Sequence, residues 1–262
     1  MSKRVITLTT DFGADSPYVA AMKGVILGIS PQATLVDVTH SIPPQDIRQG
    51  AIVLAEVCPR FPAETIHVAV VDPGVGTDRR LIYARFGNQH YLAPDNGLLS
   101  RLQRRTPATR LITVGEPAFW LKDVSETFHG RDILAPVAAR ISLGIDPELL
   151  GPKLPRMIEL DWPLPQLEAQ RLTGEIESID HFGNLITNIS RQDLAAIAQH
   201  QPLRVSCCGR QELPIVRTYG AQPRGTAVAL VGSGGQLEIA VVEASAAREL
   251  NAVVGAPVVI SW

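Results

Sequence analysis

The run Ile66-His67-Val68-Ala69-Val70-Val71 constrains the fold most. Apart from one histidine it is wholly apolar, and it ends abruptly at Asp72-Pro73-Gly74-Val75-Gly76-Thr77. A strand without polar alternation needs cover on both faces, which a parallel sheet between two layers of helices supplies. The flanking sequence agrees. Val5 to Thr10 is a β-branched run that stops at Asp11-Phe12-Gly13, and residues 35–38 form a second strand closing at Thr39-His40. Ser16-Pro17 is an N-cap followed by proline at the first helical position, opening a helix over 18–29. Asp46 caps a second helix to about Val57, with Ile47, Ala51, Leu54 and Ala55 on one face. Further strands are expected at 81–86, 90–92 and 110–114. Helices are expected after Asp95-Asn96-Gly97 and over 132–143.

Strands alternating with helices predict an α/β domain with a mainly parallel central sheet flanked by helices. Ligands in such sheets sit beyond the carboxyl ends of the strands, where Asp11 and Asp72 both lie. The pattern changes after Gly151. Residues 152 to 167 hold Pro152, Pro155, Pro163 and Pro165, an extended connector. Short β-rich runs follow near 174–180, 184–189, 203–207, 213–218, 226–231, 236–242 and 257–261. One helix near 192–199, capped by Ser190, interrupts them. The expected organisation is therefore an N-terminal α/β domain at 1–151, a Pro-rich connector at 152–170, and a C-terminal antiparallel β-barrel at 171–262.

Composition narrows the function. Of 262 residues 45% are hydrophobic but only 5% aromatic, so Val, Ile, Leu and Ala carry the core. A net charge of −2 leaves no electrostatic footprint for nucleic acid, despite the pairs Arg79-Arg80 and Arg104-Arg105. Cys58, Cys207 and Cys208 are neither a disulfide framework nor a zinc spacing, and read as thiols in a reducing compartment. No run approaches the roughly 18 apolar residues that span a bilayer. A soluble cytoplasmic protein is expected, without nucleic-acid or membrane partners.

Taken singly, the polar clusters are ambiguous. The Asp72 loop lacks the Gly-Lys-Ser/Thr of a phosphate loop and the Gly-x-Gly-x-x-Gly of a dinucleotide site, and alone it is a turn. Phe128-His129-Gly130-Arg131-Asp132 has no metal-ligand spacing, and there is no Gly-x-Ser-x-Gly elbow. Asp180-His181-Phe182-Gly183-Asn184 and Gly232-Ser233-Gly234-Gly235 each read as binding loops or as plain turns.

In order along the chain they gain meaning. Thr9-Thr10-Asp11-Phe12-Gly13, Met22-Lys23-Gly24, Val36-Asp37-Val38-Thr39-His40 and Ile42-Pro43-Pro44-Gln45-Asp46-Ile47 come first. Val70-Val71-Asp72-Pro73-Gly74-Val75-Gly76-Thr77, Ala93-Pro94-Asp95-Asn96-Gly97-Leu98-Leu99 and Thr127-Phe128-His129-Gly130-Arg131-Asp132 follow. Asp180, Phe182-Gly183-Asn184 and Leu237-Glu238-Ile239-Ala240 complete the set. The chain closely resembles, over essentially its whole length, the S-adenosylmethionine hydroxide adenosyltransferases, hydrolytic relatives of the fluorinases and chlorinases.

The resemblance implies hydrolysis of S-adenosyl-L-methionine to adenosine and L-methionine. It also implies a homotrimer whose sites lie between one subunit's N-terminal domain and its neighbour's C-terminal domain. Asp72, Arg79 and His129 match the family's water-positioning triad; Arg79 is chosen over Arg80 by its spacing of seven from Asp72, with Arg80 as the alternative. In that scheme Arg79 favours hydroxide character while Asp72 and His129 accept hydrogen bonds from the water. Asp11 is expected to hold the ribose hydroxyls. Asp180 and Asn184 belong at the amino-acid end of the ligand, Phe182 and Tyr219 beside it, and Ser233 at its carboxylate. Val242 and Glu243 lie where backbone groups read the adenine edge. No metal or cofactor is called for, since the sulfonium is itself the substrate.

Two alternatives accompany this reading: a halogenase, and a non-catalytic sensor of S-adenosylmethionine or adenosine. The halogenating relatives have an uncharged residue at the Asp72 position and a small one at the His129 position. The chain departs from the pattern in two places. Ser16 stands where many relatives have Asp, and Ile186 where the fluorinase has Trp.

Overall fold

The computed structural model describes residues 4–199 and 202–262, and the chain divides into two compact units, 1–160 and 161–262. The division falls inside the proline-rich segment. In the first unit come β1 (Val5–Thr10), α1 (Pro17–Ile29), β2 (Thr34–Thr39), α2 (Ile47–Val57), β3 (Ile66–Val70), β4 (Leu81–Phe86) and β5 (Gln89–Pro94). They are followed by α3 (Ser100–Arg105), β6 (Arg110–Thr113) and α4 (Ala135–Ser142). The six strands run in the order β2-β1-β3-β5-β4-β6. β2, β1, β3 and β5 are parallel, and β4 is antiparallel to both β5 and β6. The sheet is thus mainly parallel with an antiparallel margin. The margin follows from the two-residue link Gly87-Asn88, too short for a parallel crossover.

β3 is buried along its whole length. Val68 and Val70 join the core under α1 and α4, and Ala69 and Val71 the core under α2 and α3. This two-sided burial is what the apolar run predicted. Its one polar residue, His67, is a core histidine: Nδ1 lies 2.7 Å from Thr7 Oγ1 and the ring stacks on Tyr91 at 4.6 Å. Burial holds its pKa down to about 3. Both helix caps are present. Ser16 Oγ accepts from Tyr18 N and Asp46 Oδ1 from Gln49 N.

The second unit contains β7 (Gln166–Glu168), β8 (Arg171–Ile179), β9 (Leu185–Ser190), α5 (Arg191–Ala196), β10 (Arg204–Cys207) and β11 (Arg210–Leu213). β12 (Ala227–Val231), β13 (Gln236–Val241), α6 (Ala246–Glu249) and β14 (Pro257–Ser261) complete it. The antiparallel order is β11-β10-β14-β8-β9-β13-β12, with β7 added against β8. A bridge between Ile215 and Ala229 nearly closes the sheet into a barrel around Ile176, Leu185, Val205, Ile239 and Val258.

Two local expectations change. The strand expected over 213–218 is shortened: β11 stops at Leu213, before Pro214, which has no N–H to give the ladder, and the expected run is represented beyond it by the Ile215 bridge to Ala229. The expected connector contains β7, which extends the sheet edge. Among the described residues no helix is long and apolar enough to cross a membrane.

Candidate active site

The carboxyl ends of β1 and β3 open onto a pocket of about 280 Å³ lined by Asp11, Phe12, Gln45, Asp72, Phe128 and His129, among others. The loop after β3 is built to turn a carboxylate back on itself. Val75 N bonds Asp72 O, and Thr77 bonds Gly74 O through both N and Oγ1. Gly76 has φ +80°, and a Cβ there would stand 2.7 Å from Glu126 O. Glycine therefore lets this loop press against the backbone that leads to His129.

The folded loop brings Arg79 over Asp72. Nε lies 2.9 Å from both carboxylate oxygens and Nη2 2.6 Å from Oδ2. The same Nη2 lies 2.8 Å from Nδ1 of His129. Both members of the ion pair are nearly buried, with side-chain exposures of 11% for Arg79 and 6% for Asp72. Arginine only donates, so His129 Nδ1 accepts and the neutral ring carries its proton on Nε2. Burial first, and then the Arg79 charge, lower the His129 pKa below its ordinary value. Arg80 turns away and pairs with buried Asp95 at 2.6 Å.

Asp11 is also held. Its Oδ2 accepts from Gln45 N at 2.8 Å, and Gln45 adopts φ 66°, an uncommon conformation for a side-chain-bearing residue. Phe12, Tyr18 and Phe128 pack edge-on, 5.1 to 5.8 Å between ring centres.

One site-supporting residue received no role from the sequence. Asp132, fully buried, follows His129 in a single π-helical turn, Gly130–Leu134. Its carboxylate accepts from Ser125 N at 2.9 Å and from Arg131 at 2.6 and 3.0 Å, and the Arg131 guanidinium lies 4.9 Å above the Phe128 ring. Asp132 thereby ties both flanks of His129. Only its place in the motif marked it beforehand.

The residues picked out in the second unit form two clusters and two loops. Asp180 Oδ1 accepts from the backbone N of Phe182 and Asn184, and Oδ2 from Asn184 Nδ2 at 2.9 Å. This carboxylate organises its own turn, leaving Phe182 76% exposed. Tyr219 donates to buried Glu238 at 2.5 Å, and burial raises the Tyr219 pKa further out of range. A Cβ on Gly232 would stand 2.1 Å from Glu238 Oε2, so that carboxylate also lies under the Gly232-Ser233 loop. Glu238 is a second residue without a role assigned from sequence. Val242 N donates to Thr226 O and Val242 O accepts from Gly225 N, whereas Glu243 stands at a turn with φ 55°.

The chain is similar to known proteins over nearly its whole length. Residues 6–151 match the SAM hydroxide adenosyltransferase N-terminal domain, and residues 174–259 the C-terminal domain of the same family. The chain belongs to that family. It is 38% identical to the (R)-S-adenosyl-L-methionine hydrolase of Thermus thermophilus, over 97% of this chain and 98% of the relative. A fluorinase from Nocardia brasiliensis is 29% identical over 94% of this chain and 93% of its own length. Among solved structures, an uncharacterized conserved protein from Thermotoga maritima superposes with a TM-score of 0.92 at 32% identity, covering 98% of this chain and all of the other.

Proposed function

We propose that this family member hydrolyses S-adenosyl-L-methionine to adenosine and L-methionine, and that its substrate is the (R) epimer at the sulfonium, the epimer named for the Thermus relative. The observation that carries the reading is the Arg79 guanidinium joining the Asp72 carboxylate to His129 Nδ1 on the wall of the pocket that Asp11 lines.

The sulfonium makes methionine a good leaving group, so what the reaction needs is a nucleophile at ribose C5′. Water is weak at neutral pH. With Nδ1 engaged by Arg79, His129 donates from Nε2–H to the water oxygen, and Asp72 is the acceptor for its proton. This differs from the expectation that both groups accept. The C5′–O bond forms as the C5′–S bond breaks, sulfur keeps the electron pair, and the proton passes through Asp72 to solvent. Arg79 provides fixed positive charge beside the oxygen as negative character develops. Orienting a bound water contributes roughly several kcal/mol by itself. The scheme uses no metal or cofactor.

In this proposal Asp11 takes the ribose hydroxyls. Asp180 and Asn184 lie at the amino-acid end, Phe182 and Tyr219 beside the ligand and Ser233 at its carboxylate, and Val242 and Glu243 lie by the adenine edge. A homotrimer, in which a neighbour's second unit completes each pocket, would bring these residues to Asp72. A halide would meet the Asp72 carboxylate, which disfavours halogenation.

The test is incubation of the purified protein with resolved sulfonium epimers in ¹⁸O-labelled water. The reading expects adenosine labelled at the 5′-hydroxyl, formed faster from the (R) epimer. Equal rates would remove the stereochemical claim. Chloro-adenosine in chloride buffer would replace hydrolysis by halogenation, and binding without product would leave a sensor.

A further inference from the structure

Two thiols in the second unit stand side by side. Cys207 ends β10, Cys208-Gly209 is the whole loop before β11, and Cys207 pairs with Arg210 across it. Both loop residues have positive φ, 48° and 76°, the type I′ geometry that prefers Asn or Gly at its first position. Cysteine in that position is sterically disfavoured. Neighbouring residues in a regular strand point to opposite faces. Here the turn brings the Cys208 side chain back, and Sγ lies 3.5 Å from Sγ of Cys207. Cys207 is buried in the barrel core and Cys208 is partly exposed.

We propose that Cys207 and Cys208 form a chelating dithiol for trivalent thiophilic metalloids, with trivalent arsenicals as the ligand class. The geometry separates chelation from disulfide formation. A disulfide requires closure to about 2.05 Å and Cα atoms about 4.4 Å apart or more, whereas adjacent Cα atoms stand at about 3.8 Å. A single bridging atom asks for much less movement. With bonds to sulfur of ~2.3 Å, simple trigonometry gives sulfurs ~4.6 Å apart on a linear centre, ~3.8 Å on a tetrahedral one and ~3.3 Å on a right-angled pyramid.

The observed 3.5 Å lies between the last two. A tetrahedral ion would want further protein ligands, and among the described residues no group of three or more His, Cys, Asp or Glu is placed to hold a metal. A pyramidal centre is complete with two sulfurs and one group of its own. Burial pushes the Cys207 thiol up to about 12, which also disfavours an ion that needs two thiolates. An arsenoxide meets neutral thiols without difficulty. Two As–S bonds form, the As=O oxygen leaves as water with both thiol protons, and nothing is oxidised or reduced.

The probe is phenylarsine oxide added to the full-length native protein, read by intact mass and by thiol titration. The expected result is one phenylarsenic per chain with loss of two titratable thiols. Millimolar glutathione should not remove it, and a small dithiol should. Cys208→Ala at the loop should weaken uptake about 100-fold, because the second bond no longer forms within the same chain. Cys58→Ala, altering the buried thiol of the other unit, should bind normally. Tight uptake by Cys208→Ala, removal by glutathione, or uptake only in denaturant would each overturn the proposal.

Discussion

Asp72 and Asp180 both begin glycine-containing turns at strand ends, and from sequence the two turns look alike. Their carboxylates do opposite things. Asp180 is filled locally, by two backbone N–H groups and one amide within four residues of itself. Asp72 is filled by Arg79, whose guanidinium also reaches across fifty positions to His129. A carboxylate saturated by its own turn shapes a loop. One held by a distant cation keeps lone pairs facing a pocket, and its electrostatics belong to that pocket.

That contrast can be broken most directly at Asp72. Asp72→Asn preserves size but removes the proton acceptor and the charge that holds Arg79, so kcat should fall about 1,000-fold with a much smaller change in substrate affinity. Steady-state rates and calorimetric binding measure the two effects separately. Arg79→Lys keeps a charge but loses the fork that reaches both partners, and should cost about 100-fold in kcat. Arg80→Lys should change it only a few-fold. Similar losses at Arg79 and Arg80 would dissolve the assignment.

A smaller effect comes from pH. The His129 pKa lies below its usual 6.5, through burial and then Arg79, and only the neutral ring can accept at Nδ1. The plot of kcat/KM should therefore be flat from neutral pH down toward 6.5 and fall below it. The stability contribution has the same sign. It is present above the unfolded value of 6.5 and lost as pH falls through the lowered folded value. Asp132→Asn removes a charge that raises the His129 pKa, so the acid limb should move to lower pH, with a modest loss of kcat. A simple loss of packing would leave the limb where it was.

The smallest change is expected at the other turn. Asp180→Ala removes the acceptor of two backbone donors, the exposed one of Phe182 and the partly buried one of Asn184, and should lower stability by about 1 kcal/mol, measured by denaturant unfolding. Any effect on catalysis should appear in KM, through displacement of Phe182 and Asn184. A kcat collapse equal to that of Asp72→Asn would erase the distinction between the turns.

Much of the fold was legible because its rules are local. An unbroken apolar run marks a two-sided strand, and Ser16-Pro17 and Asp46 mark helix starts. The strand that stops before Pro214 needed one more local rule, and β7 could not be found locally, since only its pairing with β8 makes it a strand. The candidate site divides in the same way. The ordered motifs alone selected Asp72, Arg79 and His129 and named the family. Only the tertiary structure paired Arg79 with Asp72 and turned Arg80 to Asp95, placed the His129 proton on Nε2, tied Asp132 to both flanks of that histidine and spent the Asp180 carboxylate on its own turn. The reason is physical. A residue's type lists the bonds it can make, but which partner fills each lone pair depends on what the folded chain brings within 3 Å.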